Sequence, residues 1–178
     1  VQGDTPFERI ESANLHQQQV TALIDAVYKG EPLSGQMRKY FTSAADIVLI
    51  NDNMSLKDVI RCLEKHEARR EFIDKIPDNY LPYLEDQVDT LRQLDDIDKQ
   101  GNIVGTKYSK IEHIMDRINS LREDIRMRMM FNKPATDNLN FVEAMDQGKV
   151  ILIKMKADKF RSEHVRNVLV TFFISKIW

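Results

Sequence analysis

The stretch from Gly101 to Lys107, GNIVGTK, holds the residue types that bind phosphate in nucleotide-binding loops. A working loop of that kind follows a strand and opens a helix, so that backbone amides point at the phosphate. Here three residues instead of four separate the glycines, and Thr106 stands where the lysine is needed. An acidic helix is predicted in front of the stretch, where a strand is required. We therefore interpret it as a plain loop between helices.

The other residues that could do chemistry are dispersed along the chain. The four histidines are His16, His66, His113 and His164. No two of them lie four residues apart on one helix. Surface histidines are the expected interpretation, and a metal site is not predicted. Cys62 is the single cysteine, so the sequence offers neither a disulfide nor a cysteine zinc site. Without a set of titratable groups that converges by spacing, the sequence gives little support for a small enzyme.

Basic residues are concentrated near the C-terminal end. These residues are Lys149, Lys154, Lys156, Lys159, Arg161 and Arg166. They outnumber the two acids of the same segment, Asp158 and Glu163. Our candidates for contact with nucleic-acid phosphates are Lys154, Lys156, Lys159 and Arg161, each of which would contribute a salt-dependent term to binding. The alternative is that the lysines keep the edge of a strand soluble, which is a common role for lysine. The sequence leaves both interpretations open.

Acidic residues are concentrated in a helix predicted from Pro82 to Asp98. One side of that helix carries Glu85, Asp86, Asp89, Asp95, Asp96 and Asp98. A solvated face is the ordinary interpretation of such a run, and a binding surface for a basic partner is the alternative. In either case the face would repel DNA.

A strand is predicted from Lys149 to Met155, because Val150 to Ile153 is a continuous apolar run. Such a run is typical of a strand that is covered on both faces, as in a parallel sheet. Gly148 before it suits the positive φ at which a short helix stops. Ser162 after it is a predicted N-cap of an apolar helix.

One strand cannot form a sheet, because its backbone groups need neighbours on both sides. The sequence starts at Val1 without an initiator methionine and ends at Trp178 inside the last predicted helix. We therefore expect an excised piece of a larger protein, with the missing strands outside these residues. On its own, the piece is expected to dimerise or swap through Lys149 to Met155, or to be disordered there.

The remaining residues predict a mainly α fold. The chain has 178 residues, of which only six are glycine and five proline, and these low numbers disfavour a β-rich fold. Its net charge of −2 disfavours a generally basic protein that coats nucleic acid. Helices are expected near residues 14–29, 34–50, from 55, 67–76, 82–98, 109–131 and 140–147. Met127, Met129 and Met130 in the long sixth helix are interpreted as core filling. The predicted organisation is a leading segment or linker (1–13), an all-helical domain (14–134), and a helix–strand–helix fragment of an α/β ATPase core (135–178).

The final segment resembles the FtsK/HerA-like hexameric DNA-translocating ATPases, and is most similar to the coupling proteins of conjugative type IV secretion. The likeness lies in a short helix (Phe141 to Met145), then Asp146-Gln147-Gly148-Lys149, the apolar strand, and the apolar helix. Upstream, two stretches resemble the helical insert of that family: Ser55 to Leu63 and then Arg69 to Ile73. A third stretch, Asp116 to Phe131, resembles the family's segment that precedes the returning strand.

The resemblance implies an ATP-driven hexamer that moves DNA through a secretion channel. It further implies that the helical part lies in the cytoplasm and contacts DNA or relaxosome proteins. The resemblance is also compatible with a parent protein that is anchored at the inner face of the cell membrane. ATP and Mg²⁺ are implied for the parent, and no cofactor is expected in this chain. The chain contains neither Gly-x-x-x-x-Gly-Lys-Ser/Thr nor an apolar strand that ends in Asp-Glu. By itself it is therefore not expected to hydrolyse ATP. The alternative function is a stand-alone helical protein–protein interaction module, which would bind through the acidic face or the long sixth helix.

Overall fold

A computed structural model describes residues 3–27, 33–133, 140–160 and 162–177, with side chains as far as residue 174 in the last helix. The fold is mainly helical, as predicted. Its helices are α1 (Pro6–Ala26), α2 (Gly35–Leu49), α3 (Leu56–Glu64), α4 (His66–Asp74), α5 (Leu81–Arg92), α6 (Glu112–Arg122), α7 (Ile125–Asn132), α8 (Phe141–Asp146) and α9 (Glu163–Ile177). Two short strands, β1 (Asp95–Ile97) and β2 (Ile103–Thr106), lie between α5 and α6.

Helix α1 begins earlier than predicted. Thr5 and Glu8 form a capping box, in which the amide of Glu8 donates to Thr5 Oγ1 at 3.3 Å and Glu8 Oε2 accepts from the amide of Thr5 at 3.1 Å. Pro6 occupies the start of the helix, where its missing N–H costs nothing. Our prediction of a linker that extends to residue 13, with Asn14 as the cap, was therefore wrong for residues 6–13.

The centre of the core is α2, which packs against α1, α3 and α5. Its fully buried side chains include Phe41, Ile47 and Val48. Ser34 caps α2, and Ser55 forms a capping box with Asp58 at the start of α3. These short-range signals position the first three helices around one apolar cluster.

The region after α5 is a β-hairpin, which the sequence did not predict. The helix expected to reach Asp98 ends at Arg92, and β1 pairs with β2 in antiparallel fashion, with Asp95 opposite Thr106. The Asp98 carboxylate closes the turn by accepting from the amides of Gln100 and Asn102, both at 2.8 Å, and Gly101 takes a φ of +88°. Local side chain–backbone bonding of this kind favours a turn over continued helix.

The long helix predicted from Ser109 to Phe131 is two helices. Asp124 interrupts it, because its buried carboxylate accepts from the amide of Arg126 at 2.9 Å and so acts as the N-cap of α7. The apolar residues keep their helical period on both sides of Asp124, so the period alone did not reveal that one helix ends and another begins there.

The C-terminal segment holds both a confirmed and an overturned prediction. Gly148, two residues after the end of α8, has a φ of +69°, as expected. The Ser162 hydroxyl accepts from the amide of Val165 at the start of α9, which is the expected N-cap. The strand predicted from Lys149 to Met155 is not formed: those residues belong to no helix and to no ladder in the described structure. The physical reason is that no other described strand lies beside them. α9 packs on α1 through Val165, Val168 and Leu169.

Candidate nucleic-acid interface

Exposure within residues 149–155 is greatest at two apolar residues, Val150 and Leu152, which are 86% and 89% exposed. Lys149 is also exposed, Ile153 is 40% exposed, and Ile151 and Met155 are partly covered. Lys154 is exposed and follows the same two-residue period as Val150 and Leu152. A period of two is typical of a strand, so these three residues keep the spacing of one strand face without a partner in the described structure.

Both ends of this segment are attached to the folded domain. At its start the amide of Lys149 donates to the carbonyl oxygen of Ala144 at 3.0 Å. At its end Met155 and Phe160 pack against the main apolar cluster. The open part of the segment is therefore held between two fixed points.

Three of the four predicted phosphate-binding residues are described, and all three are exposed. Lys154 and Lys156 have no acidic side chain within ion-pair distance among the described residues. Lys159 Nζ lies 3.5 Å from Asp158 Oδ2, in a pair exposed enough to be screened by salt. Arg161 lies outside the described residues.

The structure adds Arg126 to this group. Its Nε donates to the carbonyl oxygen of Lys159 at 2.6 Å, which joins α7 to the lysine-bearing segment. We missed Arg126 because it alternates with methionines that we assigned to the core. That assignment is right for Met127, which is fully buried, and wrong for Met129, which is 68% exposed. The alternation of basic and apolar residues in IRMRMM was the available signal.

The acidic face predicted on residues 85–98 is smaller than expected. Glu85, Asp86 and Asp89 are exposed on α5, whereas Asp95 is buried and bound to Arg69. The Arg69 Nε and Nη2 atoms donate to Asp95 Oδ1 at 2.9 and 2.6 Å. Asp95 therefore holds the hairpin against α4 and is not available to a partner.

The other candidates from the sequence have structural roles. The Gly101–Lys107 stretch forms the end of the hairpin turn and β2, and a single 3-10 turn at Tyr108–Lys110 follows it. Burial raises the pKa of the Cys62 thiol to about 12, so this cysteine is inert packing. His164 Nε2 contacts the carbonyl oxygen of Val27, which ties α9 to the end of α1. No group of three metal-binding side chains occurs within the part of the chain that the structure describes.

No protein-family model, curated protein or solved structure matches this chain. Among the described helices none has the length and apolar character that a membrane crossing requires. Lys154, Lys156, Lys159 and Arg126 are exposed cations, and lysine and arginine are among the residue types that contact phosphates in nucleic-acid complexes.

Proposed function

We propose that this chain is the helical part, with the adjoining segment that returns to the ATPase core, of a DNA-translocating ATPase similar to conjugative coupling proteins. In this proposal the parent protein works in the cytoplasm as a hexamer, binds ATP and Mg²⁺, and moves DNA for type IV secretion. The helical part faces DNA or the relaxosome proteins that deliver it.

The observation that carries the proposal is the exposure of Val150 and Leu152. Two large aliphatic side chains more than 80% exposed, two residues apart, are costly to leave in water at about 25 cal/mol per Å². No neighbouring strand among the described residues covers them. A strand of an α/β core whose other strands lie elsewhere in the parent would have this pattern.

The charge distribution supports a DNA-facing role. Arg126 bonds to the carbonyl oxygen of Lys159, and Lys154 and Lys156 precede Lys159 in the same segment. The exposed acids of α5 lie on a different element. Lys154 and Lys156, which have no acidic partner among the described residues, are suited to phosphate contacts, which fix position without reading sequence.

DNA binding is testable with the chain as it stands. Fluorescence anisotropy with labelled single- and double-stranded oligonucleotides at several salt concentrations gives the slope of log K against log salt. We expect Lys154→Gln and Lys156→Gln each to reduce that slope by roughly 1, uniformly across oligonucleotide sequences. Lys57→Gln, at an exposed lysine of α3, is the matched control and should leave the slope unchanged. Equal effects of all three substitutions, or binding that does not depend on salt, would contradict the proposal.

ATP hydrolysis distinguishes the chain from its proposed parent. The chain alone should show no Mg²⁺-dependent ATPase activity, since the phosphate-cradling loop and the Mg-organising acid are not in its sequence. The product of the longer reading frame should hydrolyse ATP. A Lys→Ala change in its Gly-Lys-Ser/Thr loop should abolish that activity. A longer reading frame without such a loop would refute the proposal.

The second candidate, a helical protein–protein interaction module, is favoured by a specific surface on α5. Leu81 and Tyr83, which are 39% and 58% exposed, lie beside the acids Glu85 and Asp86. Exposed aromatic residues among charges are common in protein interfaces. This candidate predicts no oligonucleotide binding and no nucleotide-binding loop in the reading frame, so the two experiments above separate it from the first.

A further inference from the structure

One exposed surface of the molecule, here named the acidic α5 face, combines apolar and negatively charged side chains. It consists of Leu81, Tyr83, Glu85, Asp86 and Asp89. The buried side of the same helix, through Leu84, Val88 and Leu91, is already used in packing against α2. Arg92, also on α5, has its Nη1 atom 3.5 Å from Asp89 Oδ1. The face therefore carries a negative charge, with Leu81 near Glu85 at one edge and Tyr83 near Asp86 at the other.

A second exposed surface, here named the basic α7 face, has the opposite charge. It consists of Ile125, Arg128, Met129 and Asn132, which recur at helical spacing. Ile125 and Met129 are 56% and 68% exposed, and they line a shallow groove together with Arg128. Within the eight residues of α7 no acidic side chain occurs.

We propose that the acidic α5 face of one copy of this chain binds the basic α7 face of a second copy. Both faces offer exposed apolar side chains, and their charges are opposite, so one contact would bury apolar surface and pair unlike charges. Methionine side chains adapt to an irregular partner surface, and tyrosine is enriched at interface centres. Because the two faces differ, the contact is heterologous, and repeating it gives a closed ring or an open filament.

The contact leaves the candidate DNA surface free. Arg126, which bonds to the carbonyl of Lys159, lies one residue from Ile125 and two from Arg128, and so it projects from a different side of α7. The inference deepens the proposed function by identifying the contact between subunits. It rests on that function only for the number of copies in the ring.

Disulfide capture in the intact chain tests the contact directly. A mixture of Tyr83→Cys and Met129→Cys chains should form a covalent dimer under mild oxidation, visible on a non-reducing gel. The native Cys62 is buried and adds no background. A mixture of Leu15→Cys and Met129→Cys is the matched control, because Leu15 on α1 is 56% exposed and should not cross-link above the level of random collision.

Charge reversal provides the second measurement, by sedimentation velocity over a range of concentrations. The contact is small, so we expect weak association of the unmodified chain. Arg128→Glu should weaken it by about tenfold or more, and Asp86→Arg should do the same. Mixing the two variants should restore association, since the reversed charge on the α7 face of one chain then meets the reversed charge on the α5 face of the other.

Three outcomes would overturn the proposal: unchanged association of Arg128→Glu, an entirely monomeric unmodified chain, or equal cross-linking of the Leu15 control. None of these outcomes bears on oligonucleotide binding or ATPase activity. Failure of this contact is therefore distinguishable from failure of the proposed function.

Discussion

The helical core and the 149–155 segment use the same apolar residue types in opposite environments. Leu63 in α3 is completely buried, whereas Leu152 is 89% exposed. The buried guanidinium of Arg69 in the core is fully hydrogen-bonded. It donates to Asp95, to Thr106 Oγ1 at 3.0 Å, and to the carbonyl oxygens of Cys62 and Leu63 at 2.9 and 3.0 Å. The described helices thus form a finished unit, and the 149–155 segment presents a surface that the rest of the described chain does not cover.

The largest expected loss of stability comes from breaking the buried ion pair of the core. Arg69→Ala should lower the free energy of unfolding by about 3–5 kcal/mol, since Asp95 would remain buried without its counter-ion. Urea denaturation followed by circular dichroism measures this. Arg70→Ala is the control, because Arg70 is exposed and its ion pair among the described residues is the exposed one with Asp74 at 3.6 Å. Its loss should cost less than about 1 kcal/mol. Similar losses at the two positions would contradict the account of the core.

A pair of leucines compares the two regions directly. Leu63→Ala should destabilise the chain by about 2–5 kcal/mol, through lost burial and the cavity left behind. Leu152→Ala should change the free energy of unfolding by less than about 0.5 kcal/mol, because its side chain has few contacts to lose. The same denaturation experiment applies. A large effect at Leu152 would show that the segment is already packed in this chain.

A buried carboxyl in the core makes stability depend on pH. Burial raises the pKa of Asp46 to about 6 from 3.8, against the opposing effect of the nearby Gln87 and Asn14 amides. The small cavity around it has no charged wall, and its other lining residues are Ile10, Ala13, Ile50 and Leu84. Because the folded-state pKa lies above the unfolded value, the contribution of Asp46 is fully present below about pH 4 and is lost as pH rises through about 6.

We expect this group to make the chain less stable at pH 7.5 than at pH 4.5 by roughly 2 kcal/mol, on the scale of 1.36 kcal/mol per pKa unit. In Asp46→Asn that part of the pH dependence should disappear. At pH 7.5 the variant should be the more stable protein, because the amide can donate to Gln87 Oε1, which lacks a donor among the described residues. Comparing the pH dependence of the two chains cancels the contributions of other carboxylates. An unchanged profile in Asp46→Asn would refute the assignment.

The smallest effect on stability is expected from making the open segment polar. A Val150→Ser, Leu152→Ser double variant should unfold at the same urea concentration as the unmodified chain, yet bind less of the hydrophobic dye ANS and aggregate less. Val48→Ser in the core is the contrasting change and should lower the unfolding midpoint. If dye binding were unaffected in the double variant, Val150 and Leu152 would not be the exposed apolar surface.

Short-range signals in the sequence predicted part of this structure correctly. The cap at Ser162 and the positive φ of Gly148 follow from interactions within a few residues. The same rule was present at Thr5 and Glu8 and was overlooked. The break at Asp124 and the hairpin at Asp98 show that a helical period can continue through a cap or a turn, so period alone did not locate them.

Long-range pairings could not be predicted. Arg69 and Asp95 are 26 residues apart, and Arg126 and Lys159 are 33 apart, with no local pattern that links either pair. Asp95 was therefore assigned to a solvent face, and Arg126 was left out of the basic surface. The exposure of three of the four chosen cations, Lys154, Lys156 and Lys159, fits their use as contacts, and their binding to DNA remains a prediction.

We propose that residues 149–155, which form no strand in this chain, become one beside neighbouring strands of the parent protein. Hydrogen–deuterium exchange of the backbone amides of residues 150–155 tests it most directly, first in this chain at low concentration and then in the product of the longer reading frame. We predict exchange near the rate of an unstructured peptide in the chain and protection of at least about a hundredfold in the longer protein, as expected for a central strand. Slow exchange already in the monomeric chain, or fast exchange in both proteins, would contradict the claim.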